Sequence, residues 1–475
     1  MINGKNRVIV IGDIMLDQYN SGVVNRISPE SPVPIVKIQE RNFQLGGAAN
    51  VANNIVSLGG DAAIIGAVGN DYEGKKVVSL LKEKNILVDE KLIIRNYRTI
   101  KKVRILGNQQ QIARMDYNEN QKLPDEDLKG LLQIFENIFL EYDVVILSDY
   151  AKGICTERIC QYVIKKCREE GKRILVDPKG SDWKKYKGAS LISPNLKEMS
   201  EYLGCPIQNS NIEIENKCYS LQTLNEIEYL MITRSEKGIT LIDKDNQYFH
   251  MESKAKEVYD VSGAGDTVIA TLGLFWGKER SIMDAIRLSN DAAGIVVGKK
   301  GTATVTEAEL EERKRTFEIT NKIVTQEQIM ENVKAWKKSG ESIVFTNGCY
   351  DIFHKGHVYS VYEAAKLAKH LIVGVNSDCS VRKLKGSGRP VNSERDRAYM
   401  IAALGCVDNV VIFNETTPEL LIKEIRPDVL VKGGDYRAED VIGKEYAGRV
   451  ELIQYLDGYS TTRLIQQFEG RNAKT

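Results

Sequence analysis

At 475 residues, 42% of them hydrophobic and 28% charged, the chain is too long for a single core, since cores stop growing at roughly 250–300 residues. A formal net charge of +1 argues against a dominant nucleic-acid or membrane field, and no apolar run approaches the roughly 18 residues needed to span a bilayer. The eight cysteines contain no C-x-x-C pair, which points to reduced thiols rather than a disulfide framework or a zinc site.

The opening "MINGKNRVIVIGD" enters a short apolar strand with no long h-region and no cleavage site, so a cytoplasmic location is expected. "GNDYEGKK" (69–76) nearly fits a P-loop, but Lys76 occupies the Ser/Thr position, and Asp71 and Glu73 add negative charge; a P-loop is rejected. "TIKKVRILGNQQQIARMD" (99–116) gathers Lys101, Lys102, Arg104 and Arg114, and alternation puts some of them on one strand face. That face is either solvated or a clamp for a phosphate. "RVIVIGD" (7–13), "DVVILSD" (143–149), "RILVDP" (173–178) and "YLMITRS" (229–235) read as buried strands. Most are followed by an amphipathic segment, the rhythm of parallel βα units whose ligands gather at the carboxyl ends of the strands.

"DVSGAGDTVIATLGLFWG" (260–277) is the sharpest signal of this first section. Gly263, Ala264 and Gly265 allow close approach to a ligand, and the helix that follows offers free N–H groups to an anion. Asp266 would repel a phosphate there. It is either a plain local cap or the acceptor of a proton from a hydroxyl that attacks the phosphate. The section is expected to close at residue 318, and 319–341, without a strand signal, reads as a helical connector.

The alternation restarts at "SIVFTNG" (342–348) and continues through "LIVGVNSD" (371–378), "NVVIF" (409–413), "DVLVKGGD" (428–435) and "RVELIQYL" (449–456), a second and smaller doubly wound domain over 342–475. His354 and His357, half of the chain's four histidines, fall where a strand and glycine turn lead into a helix. With Cys349 and Asp351 they would make an unusual zinc geometry. The alternative is that both imidazoles donate hydrogen bonds to a transferring phosphoryl group. Lys383, Lys385 and Arg389 in "RKLKGSGRPV" are either further phosphate contacts or a solvated loop. "LVKGGDY" puts Lys432 at a strand end, and "GYSTTRLI" puts Ser460, Thr461, Thr462 and Arg463 at a helix start, again facing phosphate.

Taken together, "QLGGAANVANN" (44–54), "GAVGNDYEG" (66–74) and "DVSGAGDT" (260–267) resemble the ribokinase family of sugar kinases over roughly residues 1–318. The resemblance implies that Asp266 is the catalytic base, with the backbone of Gly263, Ala264 and Gly265 as the anion hole. It implies that Asp13, Gly46, Gly47 and Asn50 lie at the sugar, with Lys102 and Arg104 on its phosphate. In "PNLKE" it places Asn195, Leu196, Lys197 and Glu198 near ATP, with Glu198 acting indirectly on Mg2+. Thr233 and Gly238 of "TRSEKG" belong to the same nucleotide, and Asn290 flanks the adenine.

The set "H-K-G-H", "VKGGDY" and "STTR" resembles the H-x-G-H nucleotidylyltransferases over about 342–468. It implies that His354 and His357 are catalytic and that Gly348, Lys432, Ser460, Thr461 and Arg463 bind the nucleotide. Tyr350 departs from the common Phe of G-x-F-D, an exchange of one packing ring for another. The expected fold is therefore α/β: a ribokinase-like domain followed by a smaller, Rossmann-like nucleotidylyltransferase domain.

"RISPESPVPIVKI" (26–38), "LSDYAKG" (147–153) and "GVNSDCSVRKLKGSGRPVN" (374–392) are similar to the family of bifunctional heptose 7-phosphate kinase/heptose 1-phosphate adenylyltransferases. That resemblance implies ATP-dependent phosphorylation at O1 of heptose 7-phosphate, and adenylyl transfer to heptose 1-phosphate giving ADP-heptose, a lipopolysaccharide core precursor. The expected partners are a phosphosugar, ATP with Mg2+ and a separate bisphosphate phosphatase acting between the steps. A homodimer is expected, with no nucleic-acid or membrane partner. Another sugar kinase fused to a cytidylyltransferase would keep the same motifs. A nonenzymatic sensor is disfavoured by the intact Asp266 and H-x-G-H.

Overall fold

The runs "RVIVIG", "VVILS" and "RILVD" are buried along nearly their whole length. In the computed structural model, which describes residues 4–454 apart from 95, 109, 119–120, 254–257, 278–279 and 434–436, they are neighbouring inner strands of one sheet. Strands covered on both faces need no polar alternation, which is why these read as continuous apolar runs. The chain divides into two compact units, Met1–Arg313 and Lys314–Thr475.

The first unit is built on a nine-stranded sheet. Its order runs Tyr248–Met251, Ile239–Ile242, Tyr229–Thr233, Leu191–Ile192, Arg173–Asp177, Val144–Ser148, Arg7–Gly12, Asp61–Ile65, Leu87–Val88. All pairings are parallel from Tyr229–Thr233 to Leu87–Val88, and the two strands at the other edge are antiparallel. The two-residue period sorts the central strand. Val8 and Val10 face a core shared with the helices Ala48–Ser57, Ala264–Phe275 and Ile282–Val296. Ile9 and Ile11 face the core of Asp125–Ile138 and Glu157–Glu169. A separate four-stranded sheet, ordered Pro34–Gly47, Ile14–Ile27, Ile100–Gly107, Gln110–Tyr117, carries the basic segment.

The second unit is a six-stranded parallel sheet ordered Ile323–Val324, Asn409–Phe413, His370–Asn376, Ile343–Gly348, Val429–Gly433, Arg449–Ile453. Val344 packs on one side with the helices Lys355–Ala365 and Glu394–Ala402, while Ile343 and Phe345 pack on the other with Gln326–Lys338 and Glu419–Ile425. Strand order reverses at Ile343–Gly348, and its carboxyl end is the topological switch point where such sheets bind ligands.

The stretch 319–341 differs from the expected connector. Ile323–Val324 is the edge strand of the second sheet, and Ile329 and Val333 of the following helix are buried in its core. A two-residue strand is too short for its periodicity to register in the sequence. The helix Glu307–Asn321 runs through the expected boundary at 318.

Candidate active sites

In the first unit, two helix starts converge on one carboxylate. Gly47 has φ +58, and a Cβ there would lie 2.3 Å from the Asp13 carbonyl, so the turn into Ala48–Ser57 requires glycine. This turn presents Asn50, which is buried and donates from Nδ2 to Asp266 Oδ2 at 2.7 Å. The Tyr150 hydroxyl donates to Asp266 Oδ1 at 2.5 Å. Asp266 lies in the first turn of Ala264–Phe275, whose N-cap Gly263 has φ +79. A Cβ on Gly263 would press on the Asn50 amide at 2.9 Å, whereas one on Gly265 would meet nothing within 4 Å. The amino end of the helix is therefore open to a ligand beside Gly265. Burial pushes the Asp266 carboxyl up to about 6, opposed by the hydrogen bonds from Tyr150 and Asn50 and by Lys102, and reinforced by Asp17.

Asp13, expected at the sugar, is 0% exposed. Its Oδ2 accepts from the N–H groups of Tyr150 at 2.9 Å and Lys152 at 3.0 Å, and its Oδ1 from that of Ile154 at 3.1 Å. Burial raises its pKa despite these donors. Gly46 packs against Asp17: a Cβ would lie 2.7 Å from Asp17 Oδ2. Asp17 in turn accepts from Arg104 at 2.6 Å, and the guanidinium stands over the Tyr19 ring.

The basic segment is split by its strand. Lys102 and Arg104 stand two residues apart on one face, and the Lys102 ammonium lies 6.0 Å from the Tyr150 ring centroid. Lys101 pairs with Glu73 at 2.5 Å, and Arg114 with Asp116 through two contacts of 2.9 Å. The rejected P-loop is a helix cap: Asp71 accepts from Gly74 N–H at 2.8 Å and the Thr99 hydroxyl at 2.7 Å.

The "PNLKE" residues form a capping box at the start of Leu196–Leu203. Asn195 Oδ1 accepts from Glu198 N–H at 2.9 Å, and Glu198 Oε2 from Asn195 N–H at 3.0 Å. Lys179 donates to Glu198 Oε1 at 2.8 Å. Lys197 points to solvent, and Thr233 bridges to Asn195. Gly238 has φ +82, and a Cβ there would meet the Met251 carbonyl at 2.1 Å. Asn290 donates to the Glu252 carbonyl at 2.7 Å and so anchors a neighbouring segment. Burial, then Glu198 and Asp266, push the Asp177 carboxyl well up, so Asp177 stays protonated between these two acids. Among the described residues, no three or more His, Cys, Asp or Glu side chains are grouped to hold a metal ion. With both Glu198 oxygens engaged, this chemistry fits a cation carried by nucleotide phosphates rather than a protein cage.

In the second unit, Gly348, Lys432 and the two histidines meet at the switch point. A cleft of about 510 Å³ is lined by Asn347, Gly348, Tyr350, His357, Lys385 and Lys432, among others. His354 is the N-cap of Lys355–Ala365, and its ring stacks on His357 with centroids 3.8 Å apart. Tyr350 and Phe353 also flank the His357 ring. Burial, then His354 and Lys385, lower the His357 pKa to about 4; burial also lowers that of His354. Burial lowers the Lys432 ammonium to about 8, and it hydrogen-bonds Asn347 Oδ1. Ser460, Thr461, Thr462 and Arg463 lie outside the described residues.

The sequence named Asp351 as a metal candidate and Arg389 as a phosphate contact or loop residue, but not their pairing, and it did not single out Arg397. Asp351 pairs with Arg389 and accepts from Val391 N–H at 2.7 Å and Asn392 N–H at 3.1 Å. Arg397, 0% exposed, donates to the carbonyls of Cys349, Asn376 and Asn392 and to Asp378. It thereby ties the segments at Cys349 and Asn392 to the end of the strand His370–Asn376. Tyr150 and Asp17 were likewise not singled out, although "LSDYAKG" carries the carboxyl end of a strand, where ligands gather.

The profile of the pfkB family carbohydrate kinases matches residues 5–309, and that of the cytidylyltransferase-like proteins matches residues 345–467. The chain is 43% identical over 473 residues to "Bifunctional protein HldE" of Sulfurimonas denitrificans, covering 98% of this chain and 97% of that one. It is also 43% identical over 468 residues to the protein of that name from Vibrio parahaemolyticus, with 98% and 97% covered. The structure of Arabidopsis thaliana ribokinase complexed with ribose and ATP is similar to 65% of this chain over 99% of its own, with 18% identity and a TM-score of 0.52. Phosphofructokinase-2 from Escherichia coli aligns over 65% of this chain and 97% of its own, at 18% identity and a TM-score of 0.54. These two likenesses show the fold of the first unit.

Proposed function

The chain belongs to the family of the bifunctional HldE proteins, a carbohydrate kinase joined to a nucleotidyltransferase on one polypeptide, and we propose that it builds an ADP-activated heptose in two of its steps. The first unit phosphorylates O1 of heptose 7-phosphate. Asp266 takes the O1 proton as the O1–phosphorus bond forms and the bond to the β–γ bridging oxygen of ATP breaks, releasing ADP. The N–H groups at Gly263–Gly265 receive the charge on the transferring phosphoryl group, and Lys102 and Arg104 orient the 7-phosphate. Asn195, Thr233 and Gly238 bound the nucleotide, and Glu198 would act indirectly on its Mg2+. When bound with ATP, Mg2+ supplies charge neutralisation at the phosphates.

In the second unit an oxygen of heptose 1-phosphate attacks the α-phosphorus of ATP and pyrophosphate leaves. The attacking phosphate has a second pKa of about 6 and is ionised at neutral pH, so no general base is needed. His354, His357 and Lys432 stabilise the charge instead, with Ser460, Thr461 and Arg463 as further nucleotide contacts. A separate phosphatase must remove the 7-phosphate between the two steps.

The observation that carries this reading is the presence of both centres in a chain that matches bifunctional relatives end to end. The test supplies purified protein with heptose 7-phosphate, heptose 1-phosphate, ATP and CTP separately. Formation of the 1,7-bisphosphate from the first sugar, and of ADP-heptose rather than CDP-heptose from the second, is the expected result. CTP as the better substrate would instead mean a different activated sugar.

A further inference from the structure

The loop Asp149–Ile154 is pinned from both ends. Asp149 accepts from Ala151 N–H at 2.6 Å and the Tyr186 hydroxyl at 2.6 Å, and pairs with Lys185. From the other side the Asp13 carboxylate takes the N–H groups of Tyr150, Lys152 and Ile154. With no exposed surface and both oxygens engaged, Asp13 offers little to a sugar hydroxyl. What the loop does deliver is the Tyr150 hydroxyl, 2.5 Å from Asp266 Oδ1.

We propose that Tyr150 is a positioning residue of the kinase centre, holding the carboxylate of Asp266 ionised and in one orientation, and that Asp13 acts on the reaction through the loop that carries Tyr150. This rests on Asp266 being the base. Asn50 fixes Oδ2 and Tyr150 fixes Oδ1, so the carboxylate cannot turn, and each oxygen keeps a lone pair for a substrate proton. Burial, then the negative charge of Asp266, raise the Tyr150 hydroxyl well above its usual value, so it stays a protonated donor. The titratable groups facing Asp266 are Asp17 from Ile14–Ile27, Lys102 from Ile100–Gly107 and Asp177 at the end of its strand. Asp17 opposes ionisation, whereas Asp177, itself pushed well up by burial, Glu198 and Asp266, stays protonated and adds no charge. Tyr150 does most to favour the charged form, followed by Asn50 and then Lys102.

The experiment uses the full-length chain with 13C-carboxyl-labelled aspartate, the Asp266 resonance being assigned by its loss in D266N. In the native protein its midpoint is expected near 6. In Y150F it moves up by about one pH unit, the scale of one hydrogen bond to a charged group. Kinase kcat below that midpoint then falls about tenfold and recovers as pH rises, with the KM for ATP unchanged. D13N moves the midpoint in the same direction; if that variant does not fold, Y150F decides alone. Recovery of kinase kcat at high pH by the same Y150F preparation verifies folding of the first unit, and its nucleotidyl transfer stays at the native rate. An Asp266 resonance that titrates in Y150F as in the native chain overturns the proposal. Kinase turnover surviving in D266N overturns the reading of Asp266 itself, whatever Y150F does.

Discussion

Asp266 is pulled two ways: burial disfavours its charge, while Tyr150 and Asn50 donate to it, and the balance lies at about 6. A base must be ionised, so kinase kcat/KM is expected to fall as pH drops through that value, with the loss below it tenfold per pH unit. D266N is expected to lower phosphorylation by about 10²–10⁴-fold, measured as ADP release at saturating ATP. His357 behaves in the opposite sense: a buried imidazole resists its charge, so the ring stays neutral until pH falls to about 4. Ring-proton NMR of the ligand-free protein should show no His357 titration between pH 6 and 8, and a midpoint near 6.5 would refute that environment. H357A should slow nucleotidyl transfer by about 10²–10³-fold without touching the kinase, read as pyrophosphate release. These residues were legible because short, dense motifs hold them at helix starts. Tyr150 was not, because its partner is 116 positions away and only the fold brings the two together.

Helix Tyr72–Glu83 begins at Asp71, whose carboxylate also fastens Thr99, just before the strand Ile100–Gly107. Burial would raise that carboxyl, but the bonds from Thr99 and Gly74 outweigh it and hold its pKa below the usual value. A group with a lowered folded pKa stabilises above its unfolded value and loses that contribution as pH falls through the folded one. D71A should therefore cost about 2 kcal/mol at neutral pH and progressively less in acid, measured by denaturant unfolding. In the second unit, Arg397 holds the segments at Cys349 and Asn392 to the strand end at Asn376 from a position with no solvent exposure. R397M leaves those carbonyls and Asp378 short of their donor, and should destabilise that unit by on the order of 3 kcal/mol. The inner strands were legible as unbroken apolar runs. The edge strand Ile323–Val324 was not, since two residues carry no period and its pairing is with residues 409–413. Arg397 sits in "SERDRAYMIAALG", where the sequence looks like any polar helix start; its burial follows from the loops that close over it.

The chain folds as two α/β units, each with its own main sheet, its own pair of cores and its own ligand end. Their order and class were readable from alternating strands and helices, because parallel βα units leave that rhythm whatever their ligands. The sugar was not readable from spacing or charge; it enters through relatives that match the chain from end to end. The central claim is that two independent centres act in series on one polypeptide. The most direct test is phosphorus NMR of the native chain, D266N and H357A, each given ATP, Mg2+ and heptose 7-phosphate, before and after a bisphosphate phosphatase is added. The account predicts bisphosphate and then ADP-heptose from the native chain, no bisphosphate from D266N, and accumulation of heptose 1-phosphate with H357A. Bisphosphate formation by D266N at the native rate, or ADP-heptose formation by H357A at the native rate, would contradict it.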